Sequence, residues 1–222
     1  MNPWSAVRLS VEVGLWCTLL GAPVAVLVGW LLARRPFPGR TLLAAILMAP
    51  LVLPPVVTGL LLLALFARGG PLGPLGVPFS FAGAVVAAFV VGLPLYVMAA
   101  RNAFEAVDPR YEEVSWTLGM RPWRTFVRVT LPLALPGVAA GAVLTFARAL
   151  GEFGATAVLA GNIEGQTRTI SLAVYGLLES PDGRDASHVL VWASIGIGFA
   201  AMAGYELFVR WQRRRLEIHR GR

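Results

Sequence analysis

Arg148 and Glu152 stand four residues apart inside an apolar run covering about residues 133–160. On one helix, that spacing lets a guanidinium meet a carboxylate. An ionisable group in hydrocarbon is costly and by default points to function. Two uses stay open for the pair: tying or gating helices, and lining a path that handles an anion. A second charged stretch, "EEVSWTLGMRPWRTFVRVTLPLALPG" (112–137), sets Glu112, Glu113, Arg121, Arg124 and Arg128 between long apolar runs. Other chemistries lack their groups. All 19 basic residues among the 222 are arginine, so the nucleotide loop Gly-x-x-x-x-Gly-Lys-Ser/Thr, which needs its lysine, is excluded. Cys17 is the single cysteine and lies in an apolar run, which leaves neither a disulfide framework nor a cysteine metal cluster. His188 and His219 are far apart and without partner motifs. No nucleophile–base pair or metal spacing appears, so the chain is not read as an enzyme.

The elements that must carry these groups are membrane helices. The chain is 57% hydrophobic and only 14% charged, against about 25% charged in a soluble domain. Runs at roughly 13–33, 41–66, 80–100, 133–160 and 190–209 are each long enough to cross a bilayer. The reading is an all-α integral membrane protein of five transmembrane helices in one domain, 1–222. The net charge of +7 does not suggest nucleic acid, because the arginines fall in short blocks between apolar runs. Arg34, Arg35 and Arg40 form one block. Arg101, Arg110, Arg121, Arg124 and Arg128 form the next, and Arg210, Arg213, Arg214, Arg215, Arg220 and Arg222 the last. The other side holds Arg8, Arg68, Arg168 and Arg184, balanced by Glu164, Glu179, Asp182 and Asp185. The positive-inside rule therefore expects an extracytoplasmic N-terminus, a cytoplasmic loop at about 101–132, an extracytoplasmic loop at about 161–189 and a cytoplasmic C-terminus. The first run is too long, and its positives too late, for a cleaved signal peptide. Within 161–189, "TISLAVYGLLE" (169–179) has the length of a short helix, either a half-buried plug or a connector.

The loop at 101–132 reads as two amphipathic helices. Asp108 caps the first, and Pro109 suits its opening turn. Tyr111, Val114 and Leu118 form an apolar stripe, Glu112 and Glu113 favour the helix N-terminus, and Gly119 ends it in a left-handed conformation. The second begins at Pro122, with Trp123, Phe126, Val127 and Thr130 on its apolar side and Arg124 and Arg128 on another. Such a pair makes a docking surface for a groove. The alternative, a helix lying on lipid headgroups, is opposed by the paired glutamates, which an anionic leaflet repels.

Elsewhere, "PLVLPPVVTG" (50–59) places Pro50, Pro54 and Pro55 in a span. Proline breaks the helical ladder, and broken backbone at membrane depth is tolerated only against protein or a water-lined cavity. The stretch should face a pathway, a packing kink being the alternative. "FARALGEFGATAVLAGNIEGQTRT" (146–169) carries the Arg148/Glu152 pair. Gly137 and Gly141 make a G-x-x-x-G that Gly151 and Gly154 extend for close helix approach.

The loop resembles the EAA loop of ABC-importer permeases, Glu-Ala-Ala, three residues, Gly, nine residues, Ile-x-Leu-Pro. Here it stands as Glu113-Val114-Ser115, Gly119 and Val129-Thr130-Leu131-Pro132. The glycine, both spacings and Leu-Pro match, whereas the two alanines and the isoleucine are replaced. With "LVLPPVV" and "ARALGEFGAT…GNI…TRT", nearly the whole chain is similar to the molybdate-transport permeases, whose near relatives carry sulfate, thiosulfate or tungstate. The resemblance implies a type I permease core and an ATPase-coupling site at Glu112, Glu113, Val114, Ser115, Gly119, Arg121, Leu131 and Pro132. Candidate pathway or gate residues are Pro54, Pro55, Thr58, Gly59, Arg148, Glu152 and Thr156. It also implies a homodimer in the lipid of a bacterial or archaeal cell (inner) membrane, a cytoplasmic ABC ATPase dimer, and an extracytoplasmic molybdate- or oxyanion-binding protein. No cofactor is expected in this chain, ATP and Mg belonging to the ATPase, and no regulatory domain is expected after the last span. A rival, an ion-gradient-driven secondary transporter, calls for acidic or histidine residues in several spans. Only Glu152 lies deep in one.

Overall fold

The computed structural model describes the backbone of residues 3–179 and 184–220, with side chains for 3–179 and 187–211. Asp182 and Arg222 lie outside the described residues, as do the side chains of Arg184, Asp185, Arg213, Arg214, Arg215, His219 and Arg220. Every regular element among the described residues is helical.

Helix α1 runs Pro3–Arg34 and stops where Pro36 biases Arg35 away from helix. Its 32 residues span about 48 Å, more than the roughly 30 Å hydrocarbon core. The helix thus begins ten residues before the apolar run at 13–33. Ala6, Leu9 and Ser10 of this extension are buried, and an exposed Arg8–Glu12 pair at 2.7 Å adds only a little.

The run at 41–66 is not one kinked span. It is two helices, α2 (Arg40–Val52) and α3 (Pro55–Phe66), meeting at 113°. Leu53 and Pro54 are extended at the junction (ψ 142° and 133°), because a residue before proline avoids the helical region and two successive prolines remove two donors. Pro50 is accommodated inside α2.

Helix α4 spans Phe81–Glu105, its first turn capped by Ser80 Oγ accepting from the Gly83 N–H. Helix α5 is Arg110–Thr117. The second loop helix is not a separate unit. Helix α6 (Pro122–Thr125) passes through a π-helical segment, Phe126–Thr130, straight into α7, Leu131–Leu150. Pro132 accounts for the widening, since its ring crowds the carbonyl four residues back and it has no N–H to donate.

The apolar run at 133–160 also breaks. Helix α7 ends at Leu150 and a short helix α8, Gly154–Leu159, follows. Glu152 lies in the gap, so Arg148 and Glu152 do not share one helix as their spacing suggested. Helix α9 is Ile170–Leu178 and α10 is Arg184–Arg220. Helix α10 starts six residues before the apolar run because the polar turn ahead of it is helical.

Two packing clusters orient the bundle. Val13 and Cys17, early in α1, meet Ala84, Val85 and Ala88, early in α4. Ala25 and Leu32, late in α1, meet Val97, Ala100 and Phe104, late in α4, with Ala134 and Val138 of early α7. Helices α1 and α4 are therefore parallel, and α7 opposes them. To pass from the end of α1 to the start of α4 the chain must return across the bundle, and the bent α2–α3 pair does so. Early α10 begins beside Ala6 of α1 and α9, through Leu190, and runs back toward the α5–α6 end. The result is four helices long enough to cross a membrane and a fifth passage made by the bent α2–α3 pair, with the start of α1 and the end of α10 at opposite ends of the bundle.

Close approach is made by small residues, as expected where lipid offers no hydrophobic drive between helices. A Cβ on Gly29 would sit 2.8 Å from Ala100 Cβ, one on Gly137 2.5 Å from Ala103 Cβ, and one on Gly141 2.8 Å from Ala99 Cβ. The G-x-x-x-G of α7 thus packs inside the chain against α4. Gly154 closes on Pro55 and Val56 of α3. Gly151 departs from the expected small-residue surface, being exposed and close only to its own helix.

Candidate docking elbow and pathway helices

The α5–α6 segment forms an elbow at the end of the bundle where α1 and α4 finish. Asp108 Oδ1 accepts from the Arg110 N–H at 2.9 Å, holding the entry to α5. At the exit Gly119 has φ +80°. The Met120 N–H reaches the Ser115 carbonyl at 3.0 Å, and the Gly119 N–H reaches Trp116 at 2.9 Å. These paired bonds satisfy the last carbonyls of α5 and require the left-handed residue foreseen at Gly119.

The elbow has an outer and an inner face. Tyr111, Glu113, Val114, Leu118, Arg121 and Trp123 are exposed, Leu118 at 77%. Arg124 lies over the Trp123 ring at 5.5 Å. The Tyr111–Val114–Leu118 stripe therefore faces away from the protein.

Glu112 and Ser115 are turned inward. Ser115 Oγ donates to the Glu112 carbonyl at 2.7 Å and pairs with Thr125 Oγ1 at 2.7 Å, pinning α5 to α6. Glu112 Oε1 accepts from Thr130 Oγ1 at 2.8 Å and lies 3.3 Å from Arg34 Nε. The apolar side expected for the second helix is divided accordingly. Trp123 and Val127 point outward, Thr130 is buried, and Phe126 packs on Trp30 and Phe104 with ring centroids 5.4 and 6.0 Å apart. Leu131 packs against the cluster at this end of the bundle, and Pro132 is exposed. Arg34 and the Glu112–Thr130 contact line a cavity of about 300 Å³ together with Trp30, Arg35 and Trp116. Sequence reasoning grouped Glu112 with Glu113. Thr130 and Arg34, the latter 78 positions upstream and marked merely as one basic residue in a block, reveal that the two point to different partners.

The two stretches proposed for a pathway do come together. Helix α3 lies against α8, where a Cβ on Gly59 would be 2.9 Å from both Ala155 Cα and Val158 Cβ. Thr58 and Thr156 are buried and Pro54 is exposed, with Pro55 between. The Thr58 hydroxyl is buried without a hydrogen-bond partner. Glu152, 2% exposed, accepts from the Ala155 N–H at 2.9 Å through Oε1 and meets Arg148 Nη1 at 2.7 Å through Oε2. One carboxylate therefore caps α8 and joins it to the end of α7, across the break in the run.

At the far end, the loop before α9 is self-braced. Thr167 Oγ1 accepts from the Ile163 N–H at 2.9 Å, and Arg168 Nε donates to Asn162 Oδ1 at 2.7 Å. Ser10 Oγ of α1 accepts from the Ile170 N–H at 2.7 Å, opening α9. Helix α9 buries Ile170, Leu172 and Ala173 and exposes Tyr175 and Leu178, so residues 169–179 hold a half-buried helix.

Four helices of membrane-spanning length, a fifth span broken between α2 and α3 and a helical elbow at one end define a multi-pass helical membrane protein. The chain belongs to the family described as binding-protein-dependent transport system inner membrane component, whose model matches residues 25–218. It is 44% identical over 219 residues to the molybdenum transport system permease protein ModB of Escherichia coli strain K12, covering 96% of each chain. The Haemophilus influenzae protein of that name is 41% identical over 220 residues, covering 96% of this chain and 94% of its own. Among solved structures, the inward-facing MetNI methionine ABC transporter superposes with a TM-score of 0.71 at 20% identity, covering 95% of this chain and 94% of that one. This last likeness is one of fold.

Proposed function

We propose that this chain is the membrane permease of a molybdate importer, working as a homodimer with a separate ATPase dimer and an extracytoplasmic oxyanion-binding protein. The observation that carries the coupling part is the elbow. It presents an exposed Tyr111–Val114–Leu118 face with Glu113 and Trp123, while buried bonds from Ser115 and Glu112 hold it rigidly to the bundle. An apolar helix surface that nothing among the described residues covers suits a groove in another protein. The arginine blocks favour the elbow end as cytoplasmic, which puts it where ATP is available. The identity to molybdenum permeases over almost the full chain supports molybdate as the anion.

The mechanism follows from rigidity. A dianion does not cross hydrocarbon unaided, and the path lies between two copies, with the α3–α8 packing and the Arg148–Glu152 junction beside it. ATP closes the ATPase dimer and draws the docked elbows together. The spans rock outward-open, and the binding protein releases its anion. Hydrolysis lets the elbows part and the path opens inward. Selectivity resides mainly in the binding protein.

Reconstitution in proteoliposomes tests this reading. Permease, ATPase subunit and binding protein together should take up molybdate only with ATP on the elbow side. Uptake by this chain alone without nucleotide, or selective uptake with the binding protein omitted, overturns it. Preferential uptake of sulfate or tungstate would keep the class and replace the anion.

A further inference from the structure

Four helices meet at one polar junction beneath the elbow. Arg34 closes α1, Val107 follows α4, Glu112 lies in the first turn of α5, and Thr130 stands at the entry to α7. Glu112 Oε1 accepts from Thr130 Oγ1 at 2.8 Å and lies 3.3 Å from Arg34 Nε. Arg34 Nη2 donates to the Val107 carbonyl at 2.6 Å. The side chains of Arg34 and Glu112 are only 12% and 14% exposed, so neither is an ordinary surface charge. The Ser115–Thr125 bond, by contrast, joins only the two arms of the elbow. Phe126 also touches the bundle, through Trp30 and Phe104. The Arg34–Glu112 contact is an ion pair in which Nε makes no hydrogen bond, whereas the bonds from Thr130 to Glu112 and from Arg34 to Val107 are charge-assisted. Apolar packing permits sliding, and such hydrogen bonds fix distance and direction.

We propose that Glu112 is a positioning residue for transport. With Arg34 and Thr130 it locks the elbow to α1 and α7, so that displacement of the elbow is delivered to the spans. This rests on the docking reading above. Neighbouring residues do not share a helix face, so adjacent glutamates serve different ends: Glu113 faces outward to the partner and Glu112 inward to the load path. Breaking the lock leaves the outer face intact but lets the elbow move without its helices.

Thr130→Val removes the α7 bond at nearly constant volume, Glu112→Gln weakens the Arg34 pair, and Thr130→Ser retains the hydroxyl. Each is purified with the ATPase subunit and reconstituted with the binding protein, and ATP hydrolysed per molybdate imported is measured. Thr130→Val and Glu112→Gln should still co-purify with the ATPase but raise that ratio roughly fivefold or more, and Thr130→Ser should restore it. A purely structural role would lower the yield of complex without changing the ratio in what assembles. An unchanged ratio in both variants, or loss of assembly in both, overturns the proposal. If the unaltered chain itself fails to bind the ATPase, it is the docking reading that falls.

Discussion

Single residues at the elbow and at the α7–α8 break carry more than their size suggests. Gly119 sits at φ +80°, where a β-branched side chain adds strain of about 1–3 kcal/mol. Gly119→Val should leave membrane insertion intact and abolish co-purification of the ATPase subunit, as should Glu113→Arg, which alters only the exposed face. Retention of the ATPase by both variants in a pull-down would remove the docking assignment. Glu152 is a different case. Its carboxylate caps α8 and neutralises Arg148 inside the bundle. Breaking one side of a buried pair costs about 3–5 kcal/mol, so Glu152→Ala should lower the melting temperature in detergent and the folded yield sharply. Near-native melting would mean that Arg148 finds water or another partner there. The carboxylate was visible in the sequence as an ionisable group out of place. That it stands in a helix break was not, because Gly151 and Phe153 alone do not mark an end to an apolar run.

At the scale of elements, the breaks are as informative as the helices. Two prolines turn α2 from α3 by 113°, and the gap at residues 151–153 separates α7 from α8. These two interruptions bring α3 and α8 together, Gly59 closing on Ala155 and Val158 of α8 and Gly154 on Pro55 and Val56 of α3. Gly59→Leu has no room, since its Cβ would lie 2.9 Å from Ala155 Cα. The cost should be about 1–3 kcal/mol, read as a lower melting temperature together with loss of molybdate uptake while ATPase binding persists. Uptake at the native rate would show that α3 and α8 separate freely and that their packing does not shape the path. The prolines made this bend predictable in kind. Its size, and the partner it turns toward, depend on contacts about 100 residues away along the chain.

For the whole molecule, the bundle places the elbow and the N-terminus of α1 at opposite ends, and the arginine blocks lead us to expect the elbow end in the cytoplasm. In a Cys17→Ala background, Leu118→Cys should react with a membrane-impermeant thiol reagent only after the inner membrane is permeabilised. Ile163→Cys should react in cells with an intact inner membrane. The reverse pattern would invert the topology and place the elbow where no ATP is available. Both positions are exposed in the single chain, and in cells lacking the ATPase subunit, which would otherwise cover Leu118, accessibility is set by the side of the membrane.

The sequence by itself determined five crossings, their expected direction, the left-handed Gly119 and the exposed stripe of α5. Each follows from local physics: apolar length against bilayer thickness, blocks of arginine, a helix end and a 3.6-residue period. Tertiary structure alone decided that Glu112 turns inward to Arg34 and that Gly137 and Gly141 meet α4. It also decided that α6 continues into α7 and that Glu152 holds two helices at a break. Those outcomes depend on which distant groups become neighbours when helices pack, and no local pattern encodes a partner dozens of residues away.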